Sequence, residues 1–257
     1  VGSEMCIRDS IFRKGGIHIF HFAYKANAPE DRLLKIGDFV LSLSMPYSAG
    51  VFFLVMKLKP PKIIRHLFPS LIWEIDDPEG VFLTFDDGPT PGITEWILAM
   101  LEKYDAKATF FVLGKNVEAY PDLFRRIVDA GHKVGNHTYS HQKGWGMSLE
   151  RYIEDVDFAN DLIHSELFRP PYARITPAQA RALSQRYKLV MWDVLSRDYS
   201  RSLSPRKCLK NVTKHLEPGA IVVFHDSEKS FRNMRYALPR TLDKIRKLGL
   251  KCKTIEL

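Results

Sequence analysis

From residue 80 onward, short apolar runs alternate with longer segments whose apolar residues recur every three or four positions, and this alternation predicts strands followed by helices. The first run predicts a strand over 81–85. After it, Ile93, Trp96, Ile97, Met100, Leu101 and Tyr104 fall at helical spacing, which marks a core-facing stripe. A second strand is expected over 108–113, then a helix over 121–130 closed by Gly131, then a short strand over 133–135. A helix over 149–163 places Leu149, Tyr152, Ile153, Val156, Leu162 and Ile163 on its apolar side. A fourth strand over 167–169 and a fifth over 189–194 are each followed by a cap residue with proline in the first turn, at Thr176-Pro177 and Ser204-Pro205. A sixth strand over 220–225, a helix reaching 248 and a seventh strand over 250–255 complete the pattern.

Seven strands alternating with six helices argue for right-handed β-α units, and a β/α barrel is the simplest closure, with an open doubly wound sheet as the alternative. Polar clusters follow the ends of strands one, three, four, five and six. In a barrel those ends converge on one rim, where such folds carry their active sites, and this favours the barrel.

Composition changes the picture little. With 45% hydrophobic and 26% charged residues in 257, the chain reads as an ordinary globular protein with one well-buried core. A net charge of +8 favours anionic surroundings, but the Lys and Arg residues are scattered without a basic stripe interleaved with aromatics, which argues against nucleic-acid binding. Cys208 and Cys252 lie far apart with no C-x-x-C pattern, so two packed thiols are expected rather than a disulfide.

The chemistry concentrates in a few segments. Thr84-Phe85-Asp86-Asp87-Gly88-Pro89 puts adjacent carboxylates at the end of an apolar run, where mutual repulsion and desolvation are tolerated when a cation and a proton-transfer role separate them. Alone, the same residues are also ordinary turn chemistry. His137-Thr138-Tyr139-Ser140-His141 offers two imidazoles at i and i+4, able to converge with a carboxylate on a divalent ion. Phe168-Arg169-Pro170-Pro171-Tyr172, Met191-Trp192-Asp193-Val194 and Ile221-Val222-Val223-Phe224-His225-Asp226-Ser227 follow. In this order the segments resemble the motifs of the NodB-type polysaccharide deacetylases, family 4 of the carbohydrate esterases, over roughly residues 75–257.

The resemblance implies a distorted seven-stranded barrel and a set of roles. Asp87, His137 and His141 would bind one divalent ion, zinc, with cobalt or manganese as alternatives. Asp86 would be the general base and Arg169 its orienting partner. The Tyr172 backbone N–H would stabilise the oxyanion, Pro171, Trp192 and Val223 would line the substrate site, with Val223 at the acetyl methyl, and His225 would be the general acid. Singly, Arg169 reads rather as a surface ion pair, Tyr172 as core and His225 as a satisfied strand-end histidine; their joint place at strand ends in family order favours the roles.

Two positions depart from the family pattern. Leu195 stands where the family commonly has the aspartate that partners the catalytic histidine, and Ala173 stands where Gly commonly follows the tyrosine. Strand parity puts Asp193 on the same face as Leu195 and makes it the leading substitute partner for His225, with Asp198 as the rival.

The implied activity is metal-dependent removal of N-acetyl groups from N-acetylglucosamine units of a bacterial glycan, peptidoglycan or chitin-like. An O-acetyl xylan esterase or a non-catalytic glycan-binding relative are the alternatives. Residues 1–10 read as translated sequencing adapter, and 11–55 as a leader without a match to the family. The uncharged stretch 39–56, behind Arg32 and Lys35, would attach the chain to a membrane if 33–56 is a native anchor, whereas a native start at Met56 would make residues 56–257 the domain, with the motif core at 80–257. The substrate class points to the cell envelope, a start at Met56 to the cytoplasm.

Overall fold

The computed structural model describes residues 70–257 and, before them, four short strands, β1 (Ile11–Lys14), β2 (Ile17–Phe20), β3 (Leu33–Ile36) and β4 (Phe39–Ser42). β1 pairs with β2 and β3 with β4, both antiparallel, within a unit spanning 1–50. The expectations about residues 1–10, the anchor at 33–56 and the start at Met56 otherwise lie outside the described residues. No helix among the described residues is long and apolar enough to cross a membrane.

The second unit runs β5 (Leu71–Ile72), β6 (Gly80–Asp86), α1 (Ile93–Lys103), β7 (Thr109–Val112), α2 (Gly114–Ala119), α3 (Pro121–Asp129), β8 (Lys133–Asn136), α4 (Leu149–Ile163), β9 (Leu167–Phe168), a 3-10 turn (Pro171–Ala173), α5 (Pro177–Leu183), β10 (Lys188–Val190), β11 (Val194–Leu195), α6 (Pro205–Thr213), β12 (Ile221–His225), α7 (Glu228–Lys247) and β13 (Lys251–Cys252). α2 escapes the periodicity argument because only Gly114 and Val117 of its six residues are buried, too few to leave a stripe.

The strands are parallel in the order β11-β12-β6-β7-β8-β9-β10-β5. The fifth expected strand is split between the two ends of this path: β10 pairs with β9, and β11 pairs with β12. Between them, the Met191 N–H donates to Ile72 O and the Asp193 N–H to Ile221 O, so the segment crosses from one end of the sheet to the other. That crossing closes a distorted β/α barrel. The seventh expected strand is shorter than 250–255, and β13 pairs only with the first residues of β6, Lys251 with Gly80 and Cys252 with Val81.

Alternation along the strands sorts their side chains. Val81, Leu83 and Phe85 of β6 join Phe110, Val222 and Phe224 in the layer beneath the helices, where Phe85 stacks on Phe110 at 5.0 Å and on Phe224 at 6.1 Å. Thr84 and Asp86 take the opposite face. The β6–β12 register sets Val223 level with Thr84 and His225 level with Asp86, so both strands deliver polar ends to the same rim.

Gly135 of β8 sits opposite Phe111 of β7, and a Cβ there would lie 2.5 Å from the Phe111 ring. Gly135→Ala is expected to destabilise the fold by about 1–3 kcal/mol through overpacking, measurable as a lowered midpoint in urea unfolding.

Candidate metal centre and active site

β6 ends in Asp86, and the chain turns at once. Asp87 has φ 81°, a left-handed conformation that Asp tolerates better than most residues, and its carbonyl accepts from Asn116 Nδ2 at 2.8 Å. Asp226, next to His225, holds the other side of this turn: its N–H donates to Asp86 O at 2.7 Å and its Oδ2 accepts from Thr94 Oγ1 at 2.6 Å. A Cβ on Gly88 would collide with the Asp226 carboxyl, so the turn closes only on glycine. Burial pushes that carboxyl up to about 7.

The two histidines sit on a loop. His137 leaves the end of β8 with its N–H on Val112 O, while Thr138 (φ 67°) and His141 (φ 61°) bend the chain back. Asn136 Oδ1 accepts from the Thr138 N–H at 2.8 Å, and Asp155 of α4 accepts from the Tyr139 and Ser140 N–H groups and from Ser140 Oγ at 2.6 Å. These bonds bring the rings to 5.3 Å between centroids, with His141 Nε2 3.2 Å and His137 Nε2 3.7 Å from Asp87 Oδ1.

Asp87, His137 and His141 each offer a ligand atom within 4.8 Å of the others. His137 Nδ1 donates to Arg169 O at 2.7 Å, which fixes the tautomer and leaves Nε2 unprotonated toward Asp87. Burial pushes the His137 imidazole down to about 4 against the pull of Asp86 and Asp87, keeping it in the ligand form. Burial alone would raise the Asp87 carboxyl, but the contact with His141 and the charges of His225 and His137 hold it below the ordinary carboxylate range. Asp87 Oδ1 is buried and has no hydrogen-bond partner. Two imidazole nitrogens and an orphaned carboxylate oxygen facing one point fit a divalent cation.

Beside this cluster, Asp86 Oδ1 accepts from Arg169 Nη1 at 2.7 Å, and both side chains are buried. Arg169 also donates to Thr84 Oγ1 at 2.7 Å, Val190 O at 3.2 Å and Met191 O at 2.8 Å, and its guanidinium lies 4.0 Å over the Phe111 ring. Burial lowers the pKa of Arg169, and Asp86 opposes that shift. Across the rim, His225 Nδ1 lies 2.7 Å from Asp198 Oδ1, and the His225 N–H donates to Asp198 Oδ2 at 2.8 Å. Burial alone would lower the His225 imidazole, but the Asp198 carboxylate and its hydrogen bond, with Asp87 and Asp86 behind, raise it to about 9.

The partner of His225 is therefore Asp198, and the expectation for Asp193 fails for a reason of level. β11 pairs Val194 with Val222, which puts Asp193 opposite Ile221, four residues and about 13 Å below His225. There its carboxylate lies among those of Glu74 and Glu217, within 4.8 Å. Asp198 reaches the rim because Arg197 (φ 57°) turns the chain just past β11, and Asn233 Nδ2 then holds Asp198 O at 2.8 Å.

Of the remaining expected residues, Tyr172 is exposed, with its hydroxyl 3.2 Å from His141 Nδ1 and φ 58°. Pro171, Trp192 and Val223 are buried, Val223 one strand turn below His225. Ala173, in place of the family glycine, is itself at φ 54°, a conformation that costs a residue with a Cβ about 1–2 kcal/mol. Sequence reasoning missed Asp155 and the roles of Asp226 and Thr94. Asp155 lies inside a helix with no local signal, and Thr94 meets Asp226 only through the fold.

His137→Ala is expected to abolish tight binding of a divalent cation, read with zinc as the probe. Asp155→Ala, which frees the loop without touching a ligand atom, should weaken it about tenfold or more. Zinc titration against a competing chelator measures both, and unaltered affinity in the His137 variant would dissolve the assigned centre.

The polysaccharide deacetylase family model matches residues 75–191. A Bacillus cereus peptidoglycan-N-acetylglucosamine deacetylase is 31% identical over 192 residues, covering 71% of this chain and 90% of the relative. Another from the same organism is 36% identical over 154 residues, covering 57% of this chain and 56% of the relative, so the chain spans little more than half of that protein. Among solved structures, a peptidoglycan N-acetylglucosamine deacetylase crystallised with a naphthalenyl N-oxidanyl-benzamide superposes with TM-score 0.68 at 28% identity, over 72% of this chain and 91% of that one. With its fold, its motif order and a relative matched over nearly its whole length, this chain belongs to the NodB-type polysaccharide deacetylases, family 4 of the carbohydrate esterases.

Proposed function

We propose that this protein is a metal-dependent hydrolase that removes acetyl from N-acetylglucosamine units of a bacterial glycan, peptidoglycan or a chitin-like oligosaccharide, with zinc as its ion and cobalt or manganese able to use the same donors. The observation that carries this reading is the pairing of Asp86 with His225 at one level of adjacent strands, each with its own buried counter-charge, on either side of the Asp87, His137 and His141 cluster. A peptidoglycan substrate would set the reaction at the cell envelope.

Asp87, His137 and His141 would hold a divalent ion, which would supply Lewis acidity and lower the pKa of water at the site. Asp86, held by Arg169, takes a proton from the attacking water. The Tyr172 N–H stabilises the developing oxyanion, and Val223, level with Thr84 and just below His225, takes the acetyl methyl. His225 has Nδ1 committed to Asp198, so Nε2 delivers the proton to the leaving amine nitrogen. Retention of Asp86, Asp87, His137, His141 and His225 speaks against a non-catalytic glycan-binding role.

The first test is acetate release, after metal reconstitution, from a panel of chitin oligomers, peptidoglycan and acetylxylan. Release from acetylxylan alone would replace the amide substrate with an ester. In the same assay Asp86→Asn should lower kcat by about 10²–10⁴-fold while the metal content stays at the wild-type level. Loss of metal from that variant would make Asp86 a ligand instead.

Asp198→Asn keeps the shape of the His225 partner but removes its charge. The imidazole then falls from its raised value of about 9, so the general acid is lost at lower pH. The alkaline limb of the kcat profile should accordingly move to lower pH with metal content unchanged. A limb that stays in place would remove Asp198 from the proton-transfer pair.

A further inference from the structure

Two tyrosine rings flank the centre, each against one of its histidines. The Tyr172 ring lies 4.7 Å from His141, and the Tyr199 ring lies edge-on 4.9 Å from His225. Tyrosine offers a sugar ring an apolar face with a polar tip, so the pair marks the two approaches a glycan can take across the metal cluster.

Each approach also carries cations. Arg174, two residues beyond Tyr172 and exposed, has its guanidinium 5.1 Å from the Trp145 ring, and Lys143 is exposed in the loop that follows His141. On the other side Lys229 Nζ lies 5.6 Å over the Tyr199 ring, and exposed Arg197 stands beside the same phenol. None of these four side chains pairs with a carboxylate among the described residues. Carboxylates share the neighbourhood: Asp87 acts on Tyr172 and Asp198 on Tyr199, each already engaged by a histidine of the site, and Glu228 precedes Lys229 in the first turn of α7. A cation resting on an aromatic face is held in place while its N–H donors stay free for a ligand, and the planar arginine fork suits a carboxylate.

We propose that this mouth selects amino-sugar polymers bearing carboxylates next to the acetylated sugar over neutral N-acetylglucosamine polymers of the same length, with Arg174 and Lys229 as the specificity-determining residues. The inference rests on the deacetylase reading above and deepens it. The carboxylate can come from a lactyl ether on the neighbouring sugar or from a peptide attached to it. In both cases the interaction is a charge contact at the rim, so it acts mainly through kcat/KM and weakens with salt.

The test measures acetate release by the zinc-reconstituted full chain on three substrates of matched length: a neutral chitin oligomer, a muramic-acid-containing glycan stripped of peptide, and the same glycan with its peptides. At about 10 mM salt the acidic glycans should exceed the neutral one in kcat/KM by about tenfold, falling toward equality near 1 M, where the screening length is about 3 Å. In Arg174→Gln and Lys229→Gln, checked for wild-type melting and zinc content, the acidic-to-neutral ratio should fall at least about threefold. A preference for both acidic glycans assigns the lactyl carboxylate, and a preference only for the peptide-bearing one assigns the peptide. A wild-type ratio near one overturns the inference while leaving the deacetylase reading intact, and a high ratio that neither variant lowers removes these residues from the role. Absence of acetate from all three substrates overturns the deacetylase reading itself, and this inference with it.

Discussion

Arg169 is fully buried, and a guanidinium in that position must find a counter-charge and acceptors for its N–H groups or the fold loses several kcal/mol. What it finds links the main parts of the molecule. Nη1 meets Asp86 and Thr84 on β6, while Nε and Nη2 take the carbonyls of Val190 and Met191, where the chain leaves β10 and crosses to β11. The barrel is therefore seamed at that crossing by a side chain, and the same side chain orients the carboxylate assigned as general base. Its own carbonyl accepts from His137 Nδ1 and so sets which nitrogen of that ring faces Asp87. Removing one partner of such a buried pair leaves the other uncompensated, which typically costs about 3–5 kcal/mol, so stability and site geometry are tied together here.

The second charged pair does different work with the same economy of means. Asp86 is matched to a permanent cation, whereas His225 is matched to an anion that raises the imidazole to about 9, against the burial that alone would lower it. Strand register then sets the two partners' clients level on β6 and β12. A carboxylate held by a cation and an imidazole held protonated by an anion, level with each other, suit the proposed hydrolysis, in which one proton is taken from water and another given to the amine.

Much of this was legible in the sequence because it is local. The positions of the main strands and helices follow from apolar periodicity, and the motifs fall at strand ends because barrel chemistry resides there. The failures are of range and level. α2 buries too little to leave a pattern, and the fifth strand reads as one run although its halves serve opposite ends of the sheet. Parity correctly describes which face a strand residue takes, but it carries no information about how far along the neighbouring strand that residue lies. Asp193 satisfies parity and sits level with Ile221, whereas Asp198 lies beyond the strand and reaches His225 through a turn that periodicity cannot see.

That turn belongs to a wider feature of the rim. Among the described residues eight non-glycine positions have positive φ, and six of them, Asp87, Thr138, His141, Tyr172, Ala173 and Arg197, lie in the loops that build the site. Each such residue costs about 1–3 kcal/mol and persists only where its surroundings over-determine it. The surroundings here are identifiable: Asn116 on the Asp87 carbonyl, Asp155 and Asn136 on the histidine loop, and Asn233 and the imidazole on Asp198. The loops are strained because a strand end aims its side chains to alternate faces, and bringing Asp87, His137 and His141 to one point requires the backbone to turn sharply within the few residues that follow β6 and β8. The helices and their buried polar side chains supply the restraint, which is why residues as remote as Asp155 belong to the site's chemistry although they touch no reacting atom.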